Sequence, residues 1–350
     1  MQAASTTEGA APERVTAPIR ERIDRVPRVR FNDLPTPVQR AARLSEELGI
    51  DLWIKRDDVA ETFGGNKSRT LEFRLAEALA MDPDPLILTV EGISNTAPAT
   101  AKVCNRLGVP LLLVLRDQPE TTLQGNLFLS HLFGVEVRRF HGAGLAAAYP
   151  AVDAIAEELR SQGRNPVVFN RVPSFFGYGP TLAYLEATLE VYEAEPDLRP
   201  DHVYITSTGK SQAGVLAGSA LLGYGARVVG VTPHGKPDVA KILASVSDVA
   251  ERLGLEVSVS EADVHTDTRQ LAGGYGVLTD EAADALLRVA RAEGLLLDPD
   301  RTAKTMASLL ADVADGVIGP GETVLFFHTG GVASLFAHAD ELLSRAGVSW

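Results

Sequence analysis

Lys67 lies in the run Phe63-Gly64-Gly65-Asn66-Lys67-Ser68-Arg69, directly after a flexible glycine pair and at the start of a helical pattern. In the residues that follow, Leu71, Leu75, Ala78 and Leu79 recur as one apolar helical face. A lysine near a helix N-terminus and partly withdrawn from water has a lowered pKa, which makes its amine a better Schiff-base nucleophile. The backbone N–H groups at such a helix end also favour an anion. Taken alone, Gly-Gly-x-Lys reads better as an exposed lysine in a hinged loop, so other segments must carry the chemical reading.

Three further loops have unusual chemistry. Glu91-Gly92-Ile93-Ser94-Asn95-Thr96 offers side chains that can cap the next helix and, beyond that, bind a ligand. Ser207-Thr208-Gly209-Lys210-Ser211-Gln212-Ala213-Gly214 is a small-residue turn opening a helix, a plausible phosphate cradle. Its Gly-Lys-Ser is not a P-loop, because the first glycine of that motif would fall on Tyr204. In His328-Thr329-Gly330-Gly331 the glycines allow a ligand to approach the backbone closely.

The elements that must position these loops alternate. A helix-like run from Val38 to Leu48 precedes a strand over Ile50 to Lys55, and the Lys67 helix follows. Strands at 86–90, 110–115, 135–140 and 166–170 are then separated by helices at 97–107, 122–133 and 149–162. After a composition shift over 171–180 come a helix at 181–193, strand 202–206, a helix through 214–222, strand 227–232, two more helices and a last strand at 323–327. This order predicts an α/β fold of two open, parallel-type lobes, with ligands at the carboxyl ends of the strands. The expected division is a disordered tail at 1–13, a large domain from 14–65 and 178–350, and a small α/β domain at 66–177.

Composition narrows the partners. The formal charge is −13 and no basic cluster offsets it, so nucleic acid and anionic membranes are poor partners. A single cysteine, Cys104, excludes an internal disulfide, and no Cys/His spacing suggests a metal site. A reducing cytoplasm is the default, as no apolar run is long enough to span a bilayer and Met1 to Pro12 lack a signal peptide's apolar core.

Together the segments Leu34-Pro35-Thr36-Pro37, Lys55-Arg56-Asp57-Asp58, Gly64-Gly65-Asn66-Lys67, Ser94-Asn95, Thr208 to Gly214, Gly274-Tyr275-Gly276, Leu297-Asp298-Pro299 and His328 to Gly331 form a pattern. In order and spacing it resembles the fold type II pyridoxal phosphate enzymes, specifically the family of 1-aminocyclopropane-1-carboxylate deaminase and D-cysteine desulfhydrase. The resemblance implies the tryptophan synthase β-like architecture, with the cofactor between the lobes. Lys67 would hold pyridoxal 5'-phosphate as a Schiff base and move protons at the substrate's α carbon. Asn95 would bond the pyridoxal 3'-oxygen, and Thr208, Gly209, Lys210, Ser211, Gln212, Ala213 and Gly214 would form the phosphate cup, with Thr329 and Gly330 also at the cofactor. Ser94, Asn95, Thr96, Tyr275 and Arg301 would meet the substrate, with Ser94 and Tyr275 sharing in catalysis. Thr302 would face the pyridine nitrogen, where a neutral hydroxyl favours loss of a β leaving group over cyclopropane opening.

Three departures mark this chain. Thr70 stands where the family has a second, phosphate-contacting lysine, and Lys210 could supply that charge or simply face solvent. Arg301 replaces a tyrosine used near the cyclopropane; it reads either as a receptor for a second substrate acid or as an internal ion pair with Asp298 or Asp300. Glu91-Gly92-Ile93-Ser94 shortens the loop beside the substrate carboxylate by one residue.

The expected activity is a lyase or deaminase acting on a small amino acid by α-proton abstraction and β-elimination. β-Replacement, racemisation, or a catalytically weak amino-acid-binding homologue are the alternatives, and a homodimer is implied by the resemblance. A nicotinamide enzyme is disfavoured, because no Gly-x-Gly-x-x-Gly opens a helix after an early strand. Cys104, His328, Trp53 and the pair Phe175-Phe176 read as packing, and Asp57 and Asp58 as braces of the loop before Lys67.

Overall fold

The computed structural model describes residues 12–62, 65–116, 123–140, 142, 145–271 and 276–348. Its ten strands are β1 (Val38–Arg40), β2 (Asp51–Lys55), β3 (Leu86–Glu91), β4 (Leu111–Arg116), β5 (Glu136–Phe140), β6 (Val167–Val168), β7 (His202–Thr206), β8 (Arg227–Val231), β9 (His265–Asp267) and β10 (Thr323–Phe327). One sheet has the order β1-β2-β10-β7-β8-β9, the other β5-β4-β3-β6. Every pairing is parallel except β1 with β2. No helix among the described residues is long and apolar enough to cross a membrane.

Both faces of the central strands β3, β4, β7 and β10 are covered, which is why these read as continuous apolar runs. In β3, Leu86, Leu88 and Val90 pack with Leu71, Leu75 and Ala78 of the Lys67 helix, so the helical face read from the sequence is the buried one. Ile87 points the other way, onto Leu112 and Val114. Each fully buried side chain of this kind stabilises the fold by about 1.5–3 kcal/mol.

The helix Gly179–Ala194 is buried along nearly its whole length and packs against the helix Lys210–Leu222. Two glycines permit the approach. A Cβ on Gly214 would stand 2.2 Å from the Thr181 carbonyl oxygen, and one on Gly218 would stand 2.6 Å from Thr188 Cβ. This contact holds the N-terminus of the 210–222 helix in place.

Several boundaries differ from those read in the sequence. The 38–48 run divides into β1 and a helix, Ala42–Leu48, because Val38, Gln39 and Arg40 pair antiparallel with Lys55, Ile54 and Trp53. The strand expected at 166–170 is only two residues long; the Asn170 side chain instead accepts from Thr89 N–H at 2.7 Å and donates to its carbonyl at 3.1 Å, imitating a strand partner. The short β9 was not foreseen, and among the described residues three helices rather than two lie between β8 and β10. The helix Pro12–Asp24 begins inside the expected tail. The start of the helix expected at 122 lies outside the described residues.

Candidate active site

The Lys67 helix, Asn66–Leu79, starts from Gly65 at φ +87°, a conformation open to glycine. Gly65 N–H donates to the Asp57 carbonyl at 2.8 Å and Asn66 N–H to the Thr329 carbonyl at 2.9 Å. A Cβ on Gly65 would lie 2.7 Å from that same Thr329 oxygen. Ser68 Oγ accepts from Thr62 N–H at 3.0 Å, closing the loop before the helix.

Behind Lys67 is a buried charge network. Arg69 donates to Asp57 at 2.9 Å and to Glu190 at 2.7 and 2.8 Å, and Lys55 Nζ donates to Glu190 at 2.6 Å. Burial opposes the charge on Glu190, but Arg69 and Lys55 prevail and hold its carboxyl down at about 2. Asp57 is therefore a brace, as expected, while Asp58 pairs with Arg56 at 2.7 Å.

Lys67 Nζ donates to Asn66 Oδ1 at 2.7 Å. Burial, reinforced by the positive charges of Arg74 and Arg301 and opposed by Asp298, holds this amine well below the usual lysine range. Such an amine is available as a nucleophile and base.

Across the cavity the 210–222 helix begins after Gly209, at φ +126°. Ser207 Oγ accepts from the N–H groups of Gly209 at 2.9 Å and Gln212 at 3.0 Å, and Ala213 N–H donates to the Gly209 carbonyl at 2.9 Å. The Lys210 and Ser211 N–H groups belong to the first helical turn and have no intrahelical acceptor. With the helix dipole they make a seat for a phosphate.

A cavity of about 440 Å³ joins the two walls. It brings together Lys67, Ser94, Thr96, Thr208, Lys210, Ser211 and Arg301 from the sequence-based set. Ser207, read as the start of the phosphate cradle, lines it too, while Arg74, Thr206, Pro233 and His234 also line it and were not foreseen. Arg74 shares Lys67's helix face two turns on, which is the signal that could have found it. Phe176, expected to be packing, is 59% exposed and lines the cavity, whereas Phe175 is buried.

Other expected residues do not line this cavity. Gln212 turns its side chain away, donating to the His265 carbonyl at 2.6 Å and tying the helix to the sheet. Ala213 and Gly214 serve the packing against the 179–194 helix. Asn95 donates to Asp298 at 2.9 Å and accepts from Asn126. Thr302 is the first residue of the helix Thr302–Ala314, and its Oγ accepts from Asp298 N–H at 2.8 Å. Thr329 and Gly330 back the site; a Cβ on Gly330 would lie 2.3 Å from Asp298 Cβ and 2.6 Å from Thr302 Oγ. Arg301 faces the cavity while pairing with Asp298 at 3.3 Å and Asp300 at 3.9 Å. His328 is buried, as expected of a core histidine, and burial lowers its pKa against a backbone hydrogen bond at Leu296. Tyr275 and Gly274 lie outside the described residues.

Comparison with known proteins shows the family. The family model described as pyridoxal-phosphate dependent enzyme matches residues 29–330. The chain belongs to this family. A 1-aminocyclopropane-1-carboxylate deaminase of Burkholderia vietnamiensis is 34% identical over 336 residues, covering 91% of this chain and 98% of the relative. A crystal structure of an ACC deaminase homologue superposes with a TM-score of 0.81 at 31% identity, covering 95% of this chain and 98% of the other. The processed threonine deaminase isoform 2 of Solanum lycopersicum shares the fold, with a TM-score of 0.62 at 15% identity over 99% of this chain and 98% of that one.

The chain is thus a fold type II enzyme, and pyridoxal 5'-phosphate is its cofactor. The residues present fit that group: a lysine amine of lowered proton affinity and an open helix N-terminus share one cavity.

Proposed function

We propose that the chain is a lyase or deaminase of small amino acids that removes a β substituent, as a D-cysteine desulfhydrase does. The observation that carries this reading is the desolvated Lys67 amine on the same cavity as the N-terminus of the 210–222 helix. When bound, the cofactor supplies an aldehyde carbon for the lysine and a ring that draws electrons from the substrate's α carbon.

The chain's own residues then divide the work. Lys67 Nζ, its proton affinity lowered by burial and by the charges of Arg74 and Arg301, takes the α proton. The hydroxyls of Ser94 and Thr96 bind the substrate carboxylate, and Ser94 Oγ is oriented by accepting from Thr96 N–H at 3.2 Å. A catalytic role for Tyr275 belongs to the proposal as well. Thr302, buried behind the cavity wall, would offer the ring nitrogen a neutral hydroxyl rather than a carboxylate, which would suit departure of the leaving group as the proton is lost. With Arg301 already paired to Asp298 and Asp300, monocarboxylic amino acids are the favoured substrates. The elimination product hydrolyses to a keto acid and ammonia. A homodimer in the cytoplasm belongs to the same proposal.

Relatives named as 1-aminocyclopropane-1-carboxylate deaminases favour a second reading, cyclopropane opening by the same lysine. Parallel assays separate the two. Sulfide and pyruvate from D-cysteine support β-elimination, and 2-oxobutanoate from the cyclopropane substrate supports ring opening. Exchange of the α hydrogen without ammonia from any amino acid tested contradicts both.

A further inference from the structure

About two helical turns after Lys67, Arg74 presents its guanidinium to the same cavity. It is only 9% exposed and stacks on Phe175, 4.6 Å from the ring centroid. Among the described residues no carboxylate pairs with it, and its Nε has no hydrogen-bond partner. Burial alone pushes it down to about 10, so it remains a cation at neutral pH. A buried charge in that condition requires a counter-ion, and the open side of Arg74 is the cavity.

The neighbouring packing shows which counter-ion. Arg74 Cγ lies against Gly179, where a Cβ would stand 3.3 Å away, at the start of the 179–194 helix. Thr181, in the same first turn of that helix, touches Gly214 in the first turns of the 210–222 helix. Arg74 and the open N–H groups at Lys210 and Ser211 thus flank one helix junction and face one cavity. Thr70, one turn nearer Lys67, also lines the cavity but brings no charge.

We infer that Arg74 is the cation that binds the cofactor's phosphate dianion, opposite the N-terminus of the 210–222 helix. The planar guanidinium can give two parallel N–H donors to phosphate oxygens, and its stacking on Phe175 fixes its plane. The inference rests on pyridoxal phosphate being the cofactor. It assigns the charge to Arg74 in place of the lysine that Thr70 replaces, and ahead of the partly exposed Lys210.

The test compares pyridoxal phosphate with pyridoxal, which lacks the phosphate, as ligands of the cofactor-free protein. Wild type, Arg74→Gln and Arg74→Lys are titrated by absorbance and tryptophan fluorescence, with inorganic phosphate as competitor and circular dichroism as the folding control. Loss of a charge-assisted contact in Arg74→Gln should weaken pyridoxal phosphate binding by about 10- to 100-fold and leave pyridoxal binding unchanged. Arg74→Lys should recover part of the loss, and inorganic phosphate should compete for the wild type but not for Arg74→Gln. An unchanged preference for the phosphorylated ligand in folded Arg74→Gln overturns the inference. So does an equal loss for both ligands, which would make Arg74 a packing residue, or a selective loss of dicarboxylic amino acid binding, which would make it a substrate receptor. Failure of the wild type to bind pyridoxal phosphate would remove the cofactor reading as well, so the two failures are distinguishable.

Discussion

The Asn66 N–H donates to the Thr329 carbonyl at 2.9 Å, joining the start of the Lys67 helix to the loop that leaves β10. Lys67 is thereby positioned by two segments far apart in the chain. The joint tolerates little change, because Gly65 packs directly on the same carbonyl.

Gly65→Ala should therefore cost about 1–3 kcal/mol, from the strained φ of +87° and the 2.7 Å approach of its Cβ to Thr329 O. It should also reduce covalent capture of pyridoxal phosphate by Lys67. Thermal unfolding of the cofactor-free protein and the absorbance of the cofactor-loaded form measure the two effects; wild-type values in both would show that the joint is unimportant.

Glu190→Gln should be more damaging. It leaves Lys55 and part of Arg69 as uncompensated buried charge, a loss of about 3–5 kcal/mol. The pH dependence follows from the depressed carboxyl. With a folded value of about 2 and an unfolded value of about 4.3, Glu190 contributes its full stability above the unfolded value and loses it as pH falls toward 2. Chemical denaturation at a series of pH values from 6 downward, on both proteins, should show the wild type's advantage shrinking below about pH 4. A constant difference across the series would exclude the linkage.

Cys104 is buried in the helix Thr96–Leu107, and burial pushes its thiol up to about 12. A thiol-specific reagent at pH 8 should not modify the native enzyme, and should react with one thiol per chain after unfolding. Rapid modification of the folded protein with loss of activity would give Cys104 a functional role that its packing does not support.

Much of this was legible in the chain because local patterns and tertiary demands agree. The strands His202–Thr206 and Thr323–Phe327 are apolar runs buried on both faces, and the sequence bounds match the structure. Lys67 and the 208–211 turn were visible because glycines and small polar residues leave backbone groups open for a ligand. Arg74 was hidden because a cation on an amphipathic helix reads as solvated, and only the packing of Phe175 and Gly179 encloses it. Gln212 was misplaced because composition does not say which loop side chain turns into the sheet. Asn95 depends on Asp298, 203 residues away, a contact no local pattern encodes.

The most direct test of the account is borohydride reduction of the pyridoxal phosphate-loaded protein followed by peptide mapping. The expected result is a single pyridoxyl group on Lys67, absent from Lys67→Ala, and a change in the cofactor's absorption when a small amino acid is added before reduction. A label on Lys210, Lys304 or another lysine, or no label on a protein that holds the cofactor, would contradict it.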